Sequence, residues 1–493
     1  MDVMEVIWSL HTLWFLVPTV VYLLYRYLML GYDYFEKQAV VYDSKIVPIF
    51  GNLWGSWRKV PSEEDARKHA LYGNLWGEFE GYTPIWVTVD LDMIKSVFVR
   101  NSEYFMSLKN FEVSNDLLNQ ILFSLEGERW RAVRKLMTPG FSTGRIKTMW
   151  EDMQPCIQTL LKNIDEKGKG NTFDTRSIFS GFAMDVIASC GFGTQIDSLN
   201  DPNNEFVKHS EAFTKSFVEN PLAVLPFIIK RSWLKYLPSI LGEEGGKFFE
   251  GVTRNVVRMR KESGQRRNDF LDALIDSSIE GGKENGLDDM TFVAQCITFF
   301  LAGNETITMT LTYTIYCLSM NPEVQERLHQ QIASQSGKPL SYEELRNSKY
   351  LEYCIMETLR LHSILPRIER KATKTFTYNG YTIHEGTIVR VPVPLIHMDE
   401  KYFPDPDKYN PERFSVQNDE SFTYTFLSFG LGARACLGRR FAIEELKLAL
   451  FSLVKTYRFY PSDKTPKKIR YLKNGFMQSV SELEVGYIRR EIN

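Results

Sequence analysis

The chain has 493 residues, a formal net charge of −2, 44% hydrophobic and 24% charged residues. This is a globular composition, not that of a disordered chain, and the near-zero charge argues against a bulk nucleic-acid binder. Six cysteines, none at CxxC spacing, are too sparse for a disulfide scaffold and exclude a zinc knuckle or a thioredoxin motif.

In chain order, Val6–Tyr25 (VIWSLHTLWFLVPTVVYLLY) carries no ionised side chain if His11 is neutral. About 20 such residues span a bilayer core. A cleaved signal would need a positive flank and a small-residue cleavage site, whereas Asp2 and Glu5 precede this stretch and bulky residues follow it. A membrane anchor over 1–30 is therefore expected. Arg26 and Lys37, just beyond the uncharged Val6–Tyr25 span, place the rest of the chain in the cytosol. Residues 31–50 read as a linker, and 51–493 as one further domain.

Glu80–Val89 alternates apolar and polar residues and predicts a short hairpin. Asp90 can cap a helix over Leu91–Val99. From about 130 to 365 the pattern is mostly helical. Asp288 can cap a long helix reaching Met320, and Ser341 with Glu344 forms a capping box for a helix over 342–363. Lys374–Pro394 reads as strands, with Asn379-Gly380 a type I′ hairpin turn. Residues 441–457 return to helix. The fold class is mainly α with small β-sheets.

The most informative stretch is Phe429-Gly430-Leu431-Gly432-Ala433-Arg434-Ala435-Cys436-Leu437-Gly438. A Cys lies in a glycine-rich loop, beside an arginine and directly before a helix. The glycines permit close backbone approach, and the arginine and helix N-terminus favour thiolate over thiol. The other five cysteines sit in apolar helical surroundings and read as structural.

This F-x-x-G-x-R-x-C-x-G pattern resembles the haem signature of the cytochrome P-450 family. The resemblance covers about 48–490. It implies the P-450 fold, a single haem domain behind a transmembrane helix, and haem b (iron protoporphyrin IX) bound by the Cys436 thiolate. It also implies that Arg434 contacts a haem propionate. Glu357-Thr358-Leu359-Arg360 resembles the family's ExxR motif and Pro411-Glu412-Arg413-Phe414 its PERF segment. Together they imply a buried charge network holding the cysteine loop. Trp130 and Arg134, one helical turn apart, resemble the helix that bonds a propionate, and Arg370 matches another propionate contact.

Ala302-Gly303-Asn304-Glu305-Thr306 resembles the family's A-G-x-[DE]-T motif. A threonine here can bond back to the carbonyl of Ala302, and Gly303 removes bulk where a ligand approaches. The resemblance implies that Glu305 and Thr306 relay protons in oxygen activation.

Neither a dinucleotide fingerprint nor a phosphate loop is present, so electrons must come from a partner. The resemblance implies an NADPH-cytochrome reductase, with cytochrome b5 a second donor, received by a basic cluster of Arg129, Arg131, Lys135, Arg439 and Arg440. Phe299, Phe300 and the many aromatics suggest an apolar pocket for a lipophilic small molecule. The apolar, proline-broken stretch 219–242 resembles the segment covering substrate entry and touching membrane lipid. The location implied is the endoplasmic reticulum membrane, with the haem domain on the cytosolic face. The leading function is a membrane-bound haem-thiolate monooxygenase. The alternatives are a haem-thiolate isomerase or dehydratase acting on a peroxide without reductase, and a non-catalytic haem protein. No histidine shows metal-ligand spacing. One feature departs from the family: a Pro-rich hinge after the anchor is reduced to Pro48 and Gly51.

Overall fold

The computed structural model describes the chain outside residues 1–2, 57, 109–114, 169–170, 202, 210–211, 213–242, 265, 281–286, 334–339, 417–419, 474–475 and 492–493. The expected substrate-entry segment 219–242 therefore lies outside the described residues. The architecture is mainly helical. The helices that position the site are α1 (Val3–Leu28), α2 (Gly127–Met137), α3 (Thr143–Lys167), α4 (Thr175–Ile187), α5 (Asp289–Met320), α6 (Lys349–Leu361) and α7 (Arg439–Thr456).

α1 has 26 residues, with Pro18 inside it and Arg26 in its last turn. Among the described residues no helix is long and apolar enough to cross a membrane. α5 begins where Asp288 accepts the Thr291 N–H at 2.8 Å, and it ends before Pro322, which opens the next helix. It is buried almost all round, as a central helix must be. The capping box at Ser341 and Glu344 is present, but the helix it starts stops at Asn347. Ser348 leaves helical geometry (ψ 83°) and α6 starts afresh at Lys349, so the expected helix over 342–363 is two helices.

A four-stranded sheet has the order β1 (Leu75–Glu80), β2 (Thr83–Thr88), β7 (Ile388–Pro392), β4 (Arg367–Lys371). β1 and β2 are antiparallel, β2 and β7 parallel, β7 and β4 antiparallel. β3 (Thr172–Asp174), β9 (Glu484–Arg489) and β8 (Tyr457–Tyr460) form a second sheet. β5 (Phe376–Tyr378) and β6 (Tyr381–Ile383) form a hairpin turned by Asn379 (φ 46°) and Gly380 (φ 86°), the two left-handed residues a type I′ turn requires.

The expected hairpin over Glu80–Val89 is shifted: that stretch holds the turn, β2 and only the last residue of β1, the rest of which lies upstream. The alternation of β1 misleads because both its faces are buried. Glu78 and Glu80 point inward onto cations: Lys68 Nζ lies 3.1 Å from Glu78, and Arg390 reaches Glu80 and Glu369 at 2.5 Å each. Lys68 also pairs with Asp43 at 3.2 Å.

Burial works against an ionised Glu78, but Lys68, Arg390 and Arg367 outweigh it and hold the carboxyl at about 2, below its ordinary 4.5. A carboxylate with a depressed pKa stabilises the fold above its ordinary pKa and loses that contribution as pH falls through the folded value. Between pH 4.5 and about 2 the loss amounts to about 3 kcal/mol. Glu78→Gln leaves Lys68 and Arg390 short of a partner, so urea denaturation at neutral pH should show a destabilisation of about 3–5 kcal/mol. The variant should also lose this acid-dependent slope.

Candidate functional site

Cys436 lies in the loop before α7. Its N–H donates to the Phe429 carbonyl at 2.8 Å, and Ala435 N–H to Gly432 O at 2.9 Å. Gly432 has φ +71°, and a Cβ there would strike the Phe98 carbonyl, so only glycine fits. Cys436 is the one exposed cysteine of the six. Protein nonetheless surrounds it closely enough that desolvation pushes its thiol pKa up, against the N–H groups of Gly438 and Arg439 and the charges of Arg134 and Arg439. Accessible surface combined with strong desolvation describes a sulfur opening into an internal recess. Arg434, two residues earlier, turns its side chain away to Met106 O at 2.8 Å and Leu125 O at 2.6 Å. Burial prevails, and thiolate needs a further positive charge such as a metal ion.

Three guanidinium groups line up beside this loop. Arg134 on α2 donates to Ala435 O at 2.7 Å. Arg370 on β4 donates to Leu431 O at 2.7 Å and lies 4.6 Å over the Phe98 ring. Arg434 lies 4.1 Å over the buried Trp130 ring, with Arg134 5.6 Å from the same ring. All three bond to main-chain carbonyls, and none forms an ion pair among the described residues. Burial, then mutual repulsion, lowers Arg370 to about 9. Arg434 also falls to about 9, through burial and Arg134 against a partial offset from Glu126. One buried and two partly buried cations with no carboxylate paired to them are costly. A group bringing two carboxylates and a metal matches both this excess charge and the recessed sulfur, so the residues present fit a haem.

On α5, Thr306 Oγ1 donates to Ala302 O at 2.6 Å, as expected from the sequence. Gly303 is placed differently from expectation: a Cβ there would meet Ile187 of α4 at 2.8 Å, so the missing bulk serves helix packing. Glu305 is buried and pairs with Arg176 of α4 at 3.3 Å, which also reaches Ser481 O at 3.4 Å. Thr306 is one turn from Ala302 on one face, while Glu305 faces α4. Sequence reasoning missed Arg176 because the ion pair joins residues 129 positions apart. Phe299 and Phe300, expected to line a pocket, are core residues. Phe299 stacks on Phe270 at 4.5 Å and Phe300 packs on Phe249 at 4.3 Å.

The buried network is present. Arg360 grips Glu357 with two bonds, at 2.7 and 2.9 Å, and Arg413 Nε adds a third at 3.1 Å. Arg360 continues to His397 O at 2.8 Å and Pro406 O at 2.7 Å. His397, given no role from sequence, is central. Its Nε2 accepts the Leu427 N–H at 2.9 Å, so Nδ1 carries the proton and faces Arg360 O at 3.0 Å. Ser428 Oγ donates to Leu359 O at 2.8 Å. The network thus ends on the two residues before Phe429 and fixes where the cysteine loop begins.

In the expected basic cluster, Arg129 pairs with Asp288 at 3.0 Å and Arg131 with Glu128 at 2.6 Å. Lys135, Arg439 and Arg440 are exposed and form no ion pair among the described residues.

A family model for cytochrome P450 matches residues 43–486. The chain belongs to the cytochrome P450 family. Among curated relatives it is 32% identical to cytochrome P450 3A15 of Cavia porcellus, over 98% of this chain and 97% of that protein. It is also 32% identical to cytochrome P450 3A13 of Mus musculus, over 97% of each. As a P450 it is a haem-thiolate monooxygenase, an oxidoreductase that uses O2.

Burial, then the Arg360 charge, lowers His397 to about 3 from an ordinary 6.5. Its contribution to stability is therefore complete above pH 6.5 and drains away toward pH 3, as the unfolded chain takes up a proton the folded one refuses. The slope is about 1.4 kcal/mol per pH unit. Urea titrations between pH 6.5 and 5 should show it, and His397→Gln should flatten it. Arg360→Met leaves Glu357 buried with fewer partners, and should cost about 3–5 kcal/mol and loosen the Cys436 loop.

Proposed function

We propose that this P450 is a microsomal enzyme of the endoplasmic reticulum membrane. It inserts one oxygen atom into a lipophilic small molecule, with electrons from an NADPH-cytochrome reductase and cytochrome b5 as a second donor. Residues 1–30 are the anchor and 51–493 the haem domain, on the cytosolic side. The uncharged run Val6–Tyr25 supports the anchor, and Arg26 the orientation. The observation that carries the reading is the recess of Cys436 beside Arg134, Arg370 and Arg434, three guanidinium groups largely withdrawn from solvent that form no ion pair among the described residues.

Haem, when bound, supplies the redox chemistry and the activation of O2. Cys436 would hold its metal through sulfur, and Arg134, Arg370 and Arg434 would hold its carboxylates, with Trp130 as the floor under Arg434. Thr306 keeps a proton at Oγ1, now directed at Ala302 O. Rotating that hydroxyl releases the proton toward the recess. Glu305, the next residue, would resupply it by leaving Arg176, which is a quarter exposed, taking a proton from water there and turning toward Thr306. Lys135, Arg439 and Arg440 form the landing face for an acidic reductase; Arg129 and Arg131 contribute less, because their own acids already hold them.

The deciding measurement is the absorption spectrum of the reduced, CO-bound protein. A strongly red-shifted Soret band that Cys436→Ser abolishes is the expected result, and an unshifted band would sink the assignment. Thr306→Ala should keep that band while NADPH oxidation continues with little product, the signature of lost proton delivery. Reductase-driven turnover should fall as salt is raised. Lys135→Glu with Arg440→Glu should raise the KM for reductase without altering the CO spectrum.

A further inference from the structure

The missing Pro-rich hinge suggests a loose tether between α1 and the folded domain, but residues 29–43 are packed into the structure. Beyond α1, Met29 N–H bonds to Tyr25 O at 2.9 Å, Leu30 N–H to Tyr27 O at 3.2 Å and Tyr32 N–H to Met29 O at 3.3 Å. The helix therefore passes into turns still bonded to it. From the domain side, Tyr82 Oη donates to Leu28 O at 3.1 Å.

The next residues plug into the sheet. Tyr32 is 3% exposed; its hydroxyl donates to Gly81 O at 3.1 Å and its ring meets Phe79 edge-on at 5.0 Å. Phe35 has no exposure, and its ring sits where a Cβ of Gly77 would be. Gly77 is thus the socket for that ring. Phe35 also meets Phe79 at 5.2 Å and Trp86 at 5.3 Å. Tyr34 Oη donates to Thr382 O at 3.1 Å and accepts from Trp86 Nε1 at 3.3 Å. The following strand-like stretch pairs with the edge of β1: Gly77 N–H to Val41 O and Asp43 N–H to Gly77 O, both 2.9 Å.

We propose that Tyr32, Tyr34 and Phe35 form an aromatic clamp that replaces the proline hinge and fixes the domain, and hence the plane of its haem, at one tilt to α1 and to the lipid bilayer holding α1. Each buried aromatic contributes roughly 150–250 Å² of contact surface and has few rotatable bonds, so buried Tyr32 and Phe35, with partly buried Tyr34 beside them, make a stiff joint. The clamp rests on α1 being the membrane anchor.

The test uses the full-length, haem-loaded protein in aligned phosphatidylcholine bilayers. Polarised absorption of the haem band reads its tilt, and time-resolved anisotropy reads the wobble of the domain. Wild type should show one narrow tilt and rotate as a single body with α1. Tyr34→Ala with Phe35→Ala should lose the dichroism while keeping the thiolate CO band. If that variant does not fold, a short Gly-Ser insertion after Gly31 leaves the clamp packed and cuts its link to α1, with the same loss expected. An untilted, freely wobbling wild type, or an insertion variant as ordered as wild type, overturns the clamp. Release of wild type from membranes by alkaline carbonate instead overturns the anchor reading, and the clamp's link to the bilayer falls with it.

Discussion

A charge taken out of water must meet its opposite, and this structure is organised around how that demand is met. Glu357 has no exposure, and Arg360 and Arg413 close around it. Glu78 and Glu80 are buried beside Lys68 and Arg390, with Asp43 and Glu369 completing the set. Both networks contain acids and bases together, and either is destabilised by losing one member. The third group, buried Arg370 with partly buried Arg134 and Arg434, forms no ion pair among the described residues, and its members repel one another, with only Glu126 offsetting Arg434 in part. Carbonyl oxygens satisfy their hydrogen bonds but not their charge. An unbalanced interior charge is where a charged ligand belongs, and it lies against the one cysteine that opens into a recess.

The closed and open networks are mechanically joined. Glu357 orders Arg360, Arg360 orders the chain around His397, and His397 holds the Leu427 N–H. Two residues later the glycine-rich loop begins. A loop of this kind has little regular structure of its own, and Gly430 and Gly432 would leave it mobile in isolation. Its position is imposed from α6 and from the carbonyl contacts of Arg134 and Arg370 at Ala435 and Leu431. A neutral histidine suits this post: burial keeps it unprotonated, so Nε2 remains an acceptor throughout the physiological range.

Much of this was legible in the sequence, for identifiable reasons. The Cys436 loop, the Glu357–Arg360 pair and Thr306 with Ala302 are encoded within a turn or a short loop, where spacing determines geometry. The caps at Asp90, Asp288 and Ser341 are equally local. What escaped involves long-range contact or inverted polarity. β1 hid because its glutamates face inward to meet cations from other segments. Arg176 and His397 acquire their partners only on folding. Gly303 resembled a space for ligand because the neighbouring Ile187 lies more than a hundred positions away. Residues 31–50 read as a linker because an aromatic socket leaves no periodic signature. Arg434 was expected to act on the sulfur beside it in sequence, yet its side chain leaves that sulfur for the carbonyls of Met106 and Leu125.

These features tie cofactor binding to folding. Without a partner, three guanidinium groups raise the free energy of the folded chain by their repulsion and desolvation, and the Cys436 thiol is held protonated by burial. At the site proposed here, a ligand that carries two carboxylates and a metal would relieve both penalties at once, and relief available only in the folded state would appear as stability. The closed networks at Glu357 and Glu78 help the open one to persist: the first holds the start of the cysteine loop through His397, and the second, through Arg390 and Glu369, holds the strand that carries Arg370. Affinity for the cofactor is in this sense prepared by charges that never touch it.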